Sequence, residues 1–387
     1  MNTATRLNGT GEYYFSQKLR EIEALNAEGK QVINLGIGSP DLPPHPDVIK
    51  ALQENAARSD VHAYQSYKGS PVLRKAFADW YSRWYGVQLD ADTEILPLIG
   101  SKEGIMHICM TYLNEGDEVW IPDPGYPTYK SAASLAGGVC RTYDLTEDND
   151  WYPDLDGMQS VLDNGASIKL MFVNYPHMPS GKRPSKEMLE RLVTFALKNN
   201  ILVVHDNPYS FILNDTPASL LSVDGAKETV IELNSLSKSH NLAGWRVGVL
   251  CGAKERINDV LRFKSNMDSG MFLPVQLAAA KALSLGPDWF SELNTLYRRR
   301  REKVFVLLQE IGCDPDPEQA GLFVWAKIPG GYDNAYTLSD EILHKASVFI
   351  TPGGIFGANG NNYVRISLCA TEEKIEEATT RTRSARL

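Results

Sequence analysis

The strongest constraint on the fold lies in the middle of the chain, where short apolar runs alternate with amphipathic ones. "IKLMFVNYP" (168–176), "ILVVHDNPY", "TVIELNSLS" and "RVGVLCG" read as strands, and "SKEMLERLVTFALKNN" (185–200) as a helix opened by Ser185. Strands of unbroken Val, Ile and Leu character, separated by helices, are buried on both faces. They predict an α/β fold with a mostly parallel sheet covered by helices. Such sheets bind ligands at the carboxyl ends of their strands. Polar residues gather there: Asn174 ends one strand, Asp206 and Tyr209 end the next, and Ser235, Ser237 and Lys238 follow the third.

Upstream, "ILPLIGSKEGIMHICMTYL" (95–113) gives a short strand, a Gly-Ser-Lys turn and an apolar helix, whose N-terminus is a ready anion site. Downstream, the helical run "WFSELNTLYRRRREKVFVLLQEIG" leaves the sheet domain. The segments after it, "GLFVWAKI", "SVFITPGGIFG", "NNYVRISL" and the helix "TEEKIEEATTRTRS", read as a smaller α+β domain. The expected division is an N-terminal arm with part of the small domain over 1–44, a large domain over 45–285, and a small C-terminal domain over 286–387.

A chain of 387 residues, 43% of them hydrophobic, supports cores of that size. Its net charge of −9 opposes attraction to phosphate backbones, so no nucleic-acid partner is expected. The one dense basic run, Arg298 to Arg301, spreads around a helix and reads as a solvated face. Cys109, Cys140, Cys251, Cys313 and Cys369 are odd in number and form no C-x-x-C pair, as in a reducing compartment. The opening "MNTATRLNGTGEYYF" has no apolar signal core, and no segment reaches ~18 uninterrupted apolar residues. A soluble cytoplasmic protein with no membrane partner is expected. His177 and His205 lack a third ligand at suitable spacing, so no metal is expected. The glycines of "LGIGSPD" and "PGGIFGANG" do not fit a dinucleotide fingerprint.

"NSLSKSHNLAGWRVG" (234–248) places a lysine just past a core strand. Burial there disfavours the ammonium form. A neutral amine attacks aldehydes to form a Schiff base, so Lys238 suggests a carbonyl cofactor such as pyridoxal phosphate. Such a cofactor calls for a phosphate shell, and Arg246, Ser235 or Ser237 and the Gly100-Ser101-Lys102 turn are of the right types. Its pyridine nitrogen calls for an anion, which Asp206 can supply, and Tyr209 could donate to the ring oxygen.

With these residues in place, the chain resembles a fold-type I pyridoxal-phosphate enzyme of the class I/II aminotransferase family, in the aspartate aminotransferase superfamily. The match covers nearly the whole chain in family order. It runs through "INLGIGSPDLPPHP", "YQSYKGSPVLRKAFADWY", "GSKEGI", "PDPGYPTY", "NYPHMPSG", "DNPYSFI", "SLSKSHNLAGWRVG" and "YVRISL". The resemblance implies that Lys238 is the Schiff-base lysine, Asp206 the pyridinium partner and Tyr209 a donor to the ring oxygen. Ser101, Lys102, Ser235 or Ser237 and Arg246 resemble the phosphate shell, with Tyr126 stacked on the ring and Asn174 in the cofactor site. Arg365 resembles the clamp for the substrate α-carboxylate, with the backbone near Gly38 closing the other side. Tyr64 matches a tyrosine that reaches the phosphate of the neighbouring subunit, which implies a homodimer with shared active sites.

One position departs from the family pattern. Met178 stands where the family has the asparagine of Asn-Pro-Thr-Gly, and a thioether cannot donate to the ring oxygen. Either His177 takes over that bond or Tyr209 serves alone. The reaction the resemblance implies is ping-pong transamination from an amino acid to a 2-oxo acid, by family habit 2-oxoglutarate. The "GSKEGI" and "GIGSPDLPP" segments resemble the branch that includes aspartate, alanine, methionine and diaminopimelate aminotransferases. Two alternatives remain at this level: a carbon–sulfur β-lyase on the same fold, and a catalytically silent module that binds pyridoxal phosphate.

Overall fold

The computed structural model describes residues 2–7 and 14–385. Its central sheet has seven strands, in the spatial order Ile95–Leu98, Gly248–Gly252, Val230–Ser235, Leu202–Asp206, Ile168–Val173, Glu118–Asp123 and Val139–Asp144. Neighbours from Val230–Ser235 through to Val139–Asp144 run parallel, while Gly248–Gly252 is antiparallel to both strands beside it. The reversal follows from chain length. Between Ser235 and Gly248 there is only one short helical turn, Leu236–Ser239, and a 3-10 turn, too little for a crossover helix. The strand Gly248–Gly252 therefore starts at the end of the sheet where its predecessor stops, and the whole lysine segment stays at that end.

Both faces of the sheet are covered, as the unbroken apolar strands require. One cluster packs Met171, Val173, Val203 and Val249 against the helices Pro71–Tyr85, Lys186–Asn199 and Leu273–Leu283. On the opposite face Leu170, Phe172, Val204 and Leu233 meet the helices Ser101–Tyr112 and Pro127–Leu135. A third cluster surrounds a four-stranded sheet ordered Thr351–Pro352, Tyr363–Ser367, Phe323–Lys327, Asp314–Pro315. Ile33–Asn34 pairs in parallel with Val348–Phe349 and ties the beginning of the chain to this unit. The helix Pro287–Glu310, about 36 Å long at 1.5 Å per residue, carries Phe290 into the first cluster and Tyr297, Val304 and Leu308 into the third.

The arginine run on that helix is not a purely solvated face. Arg298 and Arg299 pair with Asp215 and Glu372 at the surface, but Arg300 is buried. It makes a two-pronged bond to Asp41 at 2.7 and 2.8 Å and a third bond to the Leu368 carbonyl. Four consecutive helical residues sweep the full circumference, so one must face inward. Arg300 does so because it lies on the line of Tyr297 and Val304, three residues before it and four after. All five cysteines are free thiols, and no helix among the described residues is long and apolar enough to cross a membrane.

Removing one partner of this pair strands the other charge. Asp41→Asn should lower unfolding free energy in urea titrations by about 3 kcal/mol, the low end for a broken buried pair, since the Asp41 side chain keeps 26% of its exposure. The apolar double variant Arg300→Met with Asp41→Leu should recover most of that loss.

Candidate active site

A cavity of about 480 Å³ opens at the carboxyl ends of Leu202–Asp206 and Val230–Ser235. Lys238, Asp206, Tyr209, Asn174, Tyr126, Ser101, Lys102, Ser235, Ser237, Arg246, Gly38 and Arg365 all line it. The cavity thus gathers residues from positions 38 to 365, from the central sheet and from the four-stranded sheet. Two expected site residues lie outside the lining, His177 and Tyr64.

Asp206 is the last residue of its strand and is buried. Its Oδ2 accepts a bond from the Tyr129 hydroxyl at 2.9 Å, whereas Oδ1 is buried without a partner. Burial pushes the carboxyl up to about 6, against the lowering effect of the Tyr129 bond. A carboxylate oxygen left in this state suits a cationic or N–H donor presented from the cavity. Asn174 braces the base of the site rather than facing outward: its amide donates to the Asp206 carbonyl and its oxygen accepts from the Met178 N–H at 2.8 Å. Tyr129 went unrecognised in the sequence. Its signal was the position one helical turn after Tyr126 in "PDPGYPTY", which points both rings to one side and leaves them edge to face at 5.6 Å.

Lys238 sits in the helical turn Leu236–Ser239, at the mouth of the reversed connection, and donates from Nζ to the Gly38 carbonyl. Burial, aided by the positive charges of Arg365 and Arg246, holds its amine below the ordinary lysine range. Around it, Ser235 Oγ bonds Ser237 Oγ at 3.0 Å, and Arg246 donates to the Ala243 carbonyl at 3.0 Å with Ser237 Oγ 3.5 Å away. The guanidinium rests against the turn before the helix Ser101–Tyr112 because Gly100 makes room for it, and Gly248 lets its own strand lie against the same turn. A Cβ on Gly100, whose φ is +83°, would lie 2.1 Å from Arg246 Nη2, and one on Gly248 would lie 2.6 Å from the Ser101 backbone nitrogen. Guanidinium, hydroxyls and helix N–H groups converge as an anion site needs.

Across the cavity, Arg365 stands in the strand Tyr363–Ser367 and donates to the Gly36 carbonyl at 2.8 Å. Its guanidinium carbon lies 3.8 Å from the ring centroid of Phe323, 4.6 Å from that of Phe356 and 5.7 Å from that of Phe15. Met178 Sδ is 3.3 Å from its Nη1. Gly38 has no room for a side chain, since a Cβ would meet Phe323 Cζ at 2.1 Å and push that ring off the guanidinium. Tyr209 lines the same side, and burial raises its hydroxyl well above the usual range, so it stays a neutral donor.

His177 is not available for a ring-oxygen bond. Its Nδ1 bonds Ser180 Oγ at 2.7 Å and its Nε2 meets the Pro124 carbonyl at 3.1 Å, which uses both ring nitrogens in holding the turn. Of the two candidates for the missing asparagine's place, Tyr209 lines the cavity and His177 does not. Tyr64 is 91% exposed, on a segment packed against Gly270. His205 is held between Glu232 and the Tyr175 carbonyl. Glu103, His107 and Asp268 bring donor atoms within 4.8 Å of one another, but the Lys264 ammonium, 2.6 Å from Asp268, already stands as the local cation.

The family model for aminotransferase class I and II matches residues 30–381. The chain belongs to that family. It is 40% identical to the LL-diaminopimelate aminotransferase of Dehalococcoides mccartyi, over 97% of this chain and 97% of that one. It is also 40% identical to the LL-diaminopimelate aminotransferase of Halothermothrix orenii, over 100% and 99%. Among solved structures, substrate-bound BacF from Bacillus subtilis superposes with a TM-score of 0.94 at 34% identity, covering 100% of this chain and 98% of that one. The protein is an aminotransferase of fold type I, and its relatives do not support the carbon–sulfur lyase alternative. The cavity fits the pyridoxal phosphate on which such enzymes depend: an unpartnered buried carboxylate oxygen, an amine held below its usual range, and a glycine-floored anion cradle.

Burial holds the His177 imidazole down at about 4, from an ordinary 6.5. The unfolded chain takes up a proton below 6.5 that the folded chain refuses, so stability should be lost as the pH falls from about 6.5 towards about 4. Urea midpoints should drop between pH 7 and 5, and His177→Gln should flatten that slope. Some slope should remain, because burial likewise holds His240 down, at about 3, partly offset by Asp206, whose carboxyl is pushed up to about 6 and so favours folding as the pH falls.

Proposed function

We propose that this cavity holds pyridoxal phosphate and transfers the α-amino group of an amino acid to a 2-oxo acid, with 2-oxoglutarate as the first acceptor to test. The observation that carries the reading is the pairing, in one cavity, of Asp206 Oδ1, buried and unpartnered, with the Lys238 amine held below its usual range. When bound, the cofactor supplies an aldehyde carbon and an electron-withdrawing ring that stabilises negative charge at the substrate Cα.

The chain supplies the rest. Arg246, Ser235, Ser237, Ser101 and Lys102 hold the phosphate, and Asp206 keeps the ring nitrogen protonated, with Tyr129 fixing the carboxylate in place. Tyr126 flanks the ring and Tyr209 donates to its oxygen. Arg365 takes the substrate carboxylate in a setting of three aromatic rings, where exclusion of water strengthens the ion pair. Lys238, whose ammonium form burial disfavours, would hold the cofactor's aldehyde carbon and would serve as the base that takes the proton from the substrate Cα. Residues 45–285 serve in this reading as the cofactor-binding unit, and residues 1–44 with 286–387 as the unit that brings Arg365.

The working species in this proposal is a homodimer. Exposed Tyr64, Tyr67, Met267 and Phe272 support it, the last two flanking the Gly270 contact that seats the Tyr64 segment. Tyr64 then reaches the phosphate in the neighbouring subunit's site.

Two variants test the assignment. Lys238→Ala should show no covalent visible band with pyridoxal phosphate and no turnover; normal turnover would refute the role of Lys238. Arg365→Ala should raise KM for amino acids by roughly 10-fold or more, as expected for loss of a bond to a charged group. Steady-state kinetics that leave KM unchanged would remove the clamp.

A further inference from the structure

We infer that Asp123 is a positioning residue for the amino acid, one that fixes the Arg365 clamp at its working distance from the wall of the cofactor site. This rests on the aminotransferase reading and adds to it a residue that lies outside the cavity lining.

Asp123 ends the strand Glu118–Asp123 and is 8% exposed. Its Oδ2 accepts the Ala358 N–H at 3.1 Å and its Oδ1 accepts the Asn359 N–H at 3.0 Å. The Asn359 side-chain amide donates back to the Asp123 carbonyl at 3.2 Å and to Asp144 Oδ1 at 2.8 Å. Two residues on, the Gly125 N–H donates to the Phe356 carbonyl at 2.8 Å. The end of a central strand is thereby bonded to the segment 356–359, which is remote in sequence.

Each of the two segments carries one wall of the cavity. Tyr126, next to Gly125, lines it on the side where the cofactor ring would lie. Phe356 lines it on the other, with its ring centroid 4.6 Å from the Arg365 guanidinium carbon. The segment around Phe356 is packed on the sheet that holds Arg365. Trp325 is the cross-strand partner of Arg365, the Phe356 ring meets it edge to face at 6.1 Å, and a Cβ on Gly353 would lie 2.4 Å from its Cη2. Arg365, Trp325 and Phe356 thus form one packed body, and Asp123 bonds that body to the strand end that leads to Tyr126.

A carboxylate is a costly acceptor in this place. Burial raises the Asp123 carboxyl above its ordinary range, against the pull of the Asn359 and Ala358 N–H groups. What it offers is two oxygens for two successive N–H groups, in charge-assisted bonds roughly twice as strong as neutral ones. Gly357 admits it: a Cβ there, at a φ of +143°, would lie 2.1 Å from Asp123 Oδ1. An ordinary loop anchor would serve stability alone. A residue that sets the distance from clamp to cofactor should, when lost, weaken amino-acid binding and leave the cofactor in place, since a displacement of about 1 Å can cost as much as 100-fold.

The test uses the holoenzyme, with the amino donor that bleaches the wild-type visible band fastest in a panel of the standard amino acids and LL-diaminopimelate. Asp123→Ala should raise KM for that donor by about 10-fold or more, with a smaller change in kcat. The inhibition constant of propionate, a carboxylate with no amino group to react, should rise in step with KM. The visible band and the dissociation constant for pyridoxal phosphate should stay as in the wild type. Asp123→Asn keeps an acceptor oxygen for one of the two N–H groups and turns an amide N–H towards the other. It should give a smaller rise in KM, and it carries the test if Asp123→Ala does not fold. A folded variant with unchanged KM and unchanged propionate inhibition would overturn the inference. An equal loss of affinity for pyridoxal phosphate, or failure of both variants to fold, would overturn it too, since Asp123 would then brace the fold as a whole. A wild-type holoenzyme with a normal visible band that bleaches with no amino acid would instead remove the aminotransferase reading, before any variant is compared.

Discussion

The site is organised by the cost of placing charge out of water. Asp206 and Lys238 share one cavity, and burial drives them in opposite directions, the acid up to about 6 and the amine below its usual range. Neither is neutralised by the other. Asp206 is held on one oxygen by Tyr129 and left open on the second, and Lys238 leans on a backbone carbonyl. A ring that is cationic at one edge and electrophilic at the opposite one relieves both at once. In the proposed reading, bound pyridoxal phosphate would satisfy groups the polypeptide leaves under-solvated.

The geometry that permits this comes from a strand that runs the wrong way. If Gly248–Gly252 were joined to its neighbour by a crossover helix, Arg246 would enter the sheet from the far edge. The tight connection keeps Ser235, Ser237, Lys238 and Arg246 together at one end, facing the Gly100 turn. Small residues then set the distances: Gly100 lets the guanidinium lie on the helix terminus, Gly248 lets its strand approach the Ser101 backbone, and Gly38 lets the Phe323 ring lie on Arg365.

Much of this was legible in the sequence because strand ends follow directly from hydrophobic runs. Asn174, Asp206, Ser235 and Lys238 could be placed at one edge from the pattern alone, since a buried parallel strand has few ways to begin and end. What was not legible depended on contacts remote in sequence. Arg300 looks like its three arginine neighbours until the turn of the helix that faces Asp41 is known. The fate of His177 depends on Pro124 and Ser180, and only their carbonyl and hydroxyl reveal that both ring nitrogens are occupied. Asn174 sits where a cofactor ligand was expected, but its amide spans Asp206 and Met178, a bracing role that spacing alone does not distinguish.

The pairing of Ile33–Asn34 with Val348–Phe349, and the bond from Arg365 to the Gly36 carbonyl, also set an order of assembly. The groups around the phosphate and the ring, from Ser101 to Arg246, lie on one continuous stretch whose strands can pair as soon as they are made. The carboxylate clamp closes a loop of 329 residues and waits for a strand near the end of the chain. In the proposed reading, the half that would hold the cofactor is synthesised well before the strand that carries Arg365. A nascent chain would thus present its cofactor-binding surface before it could select a substrate.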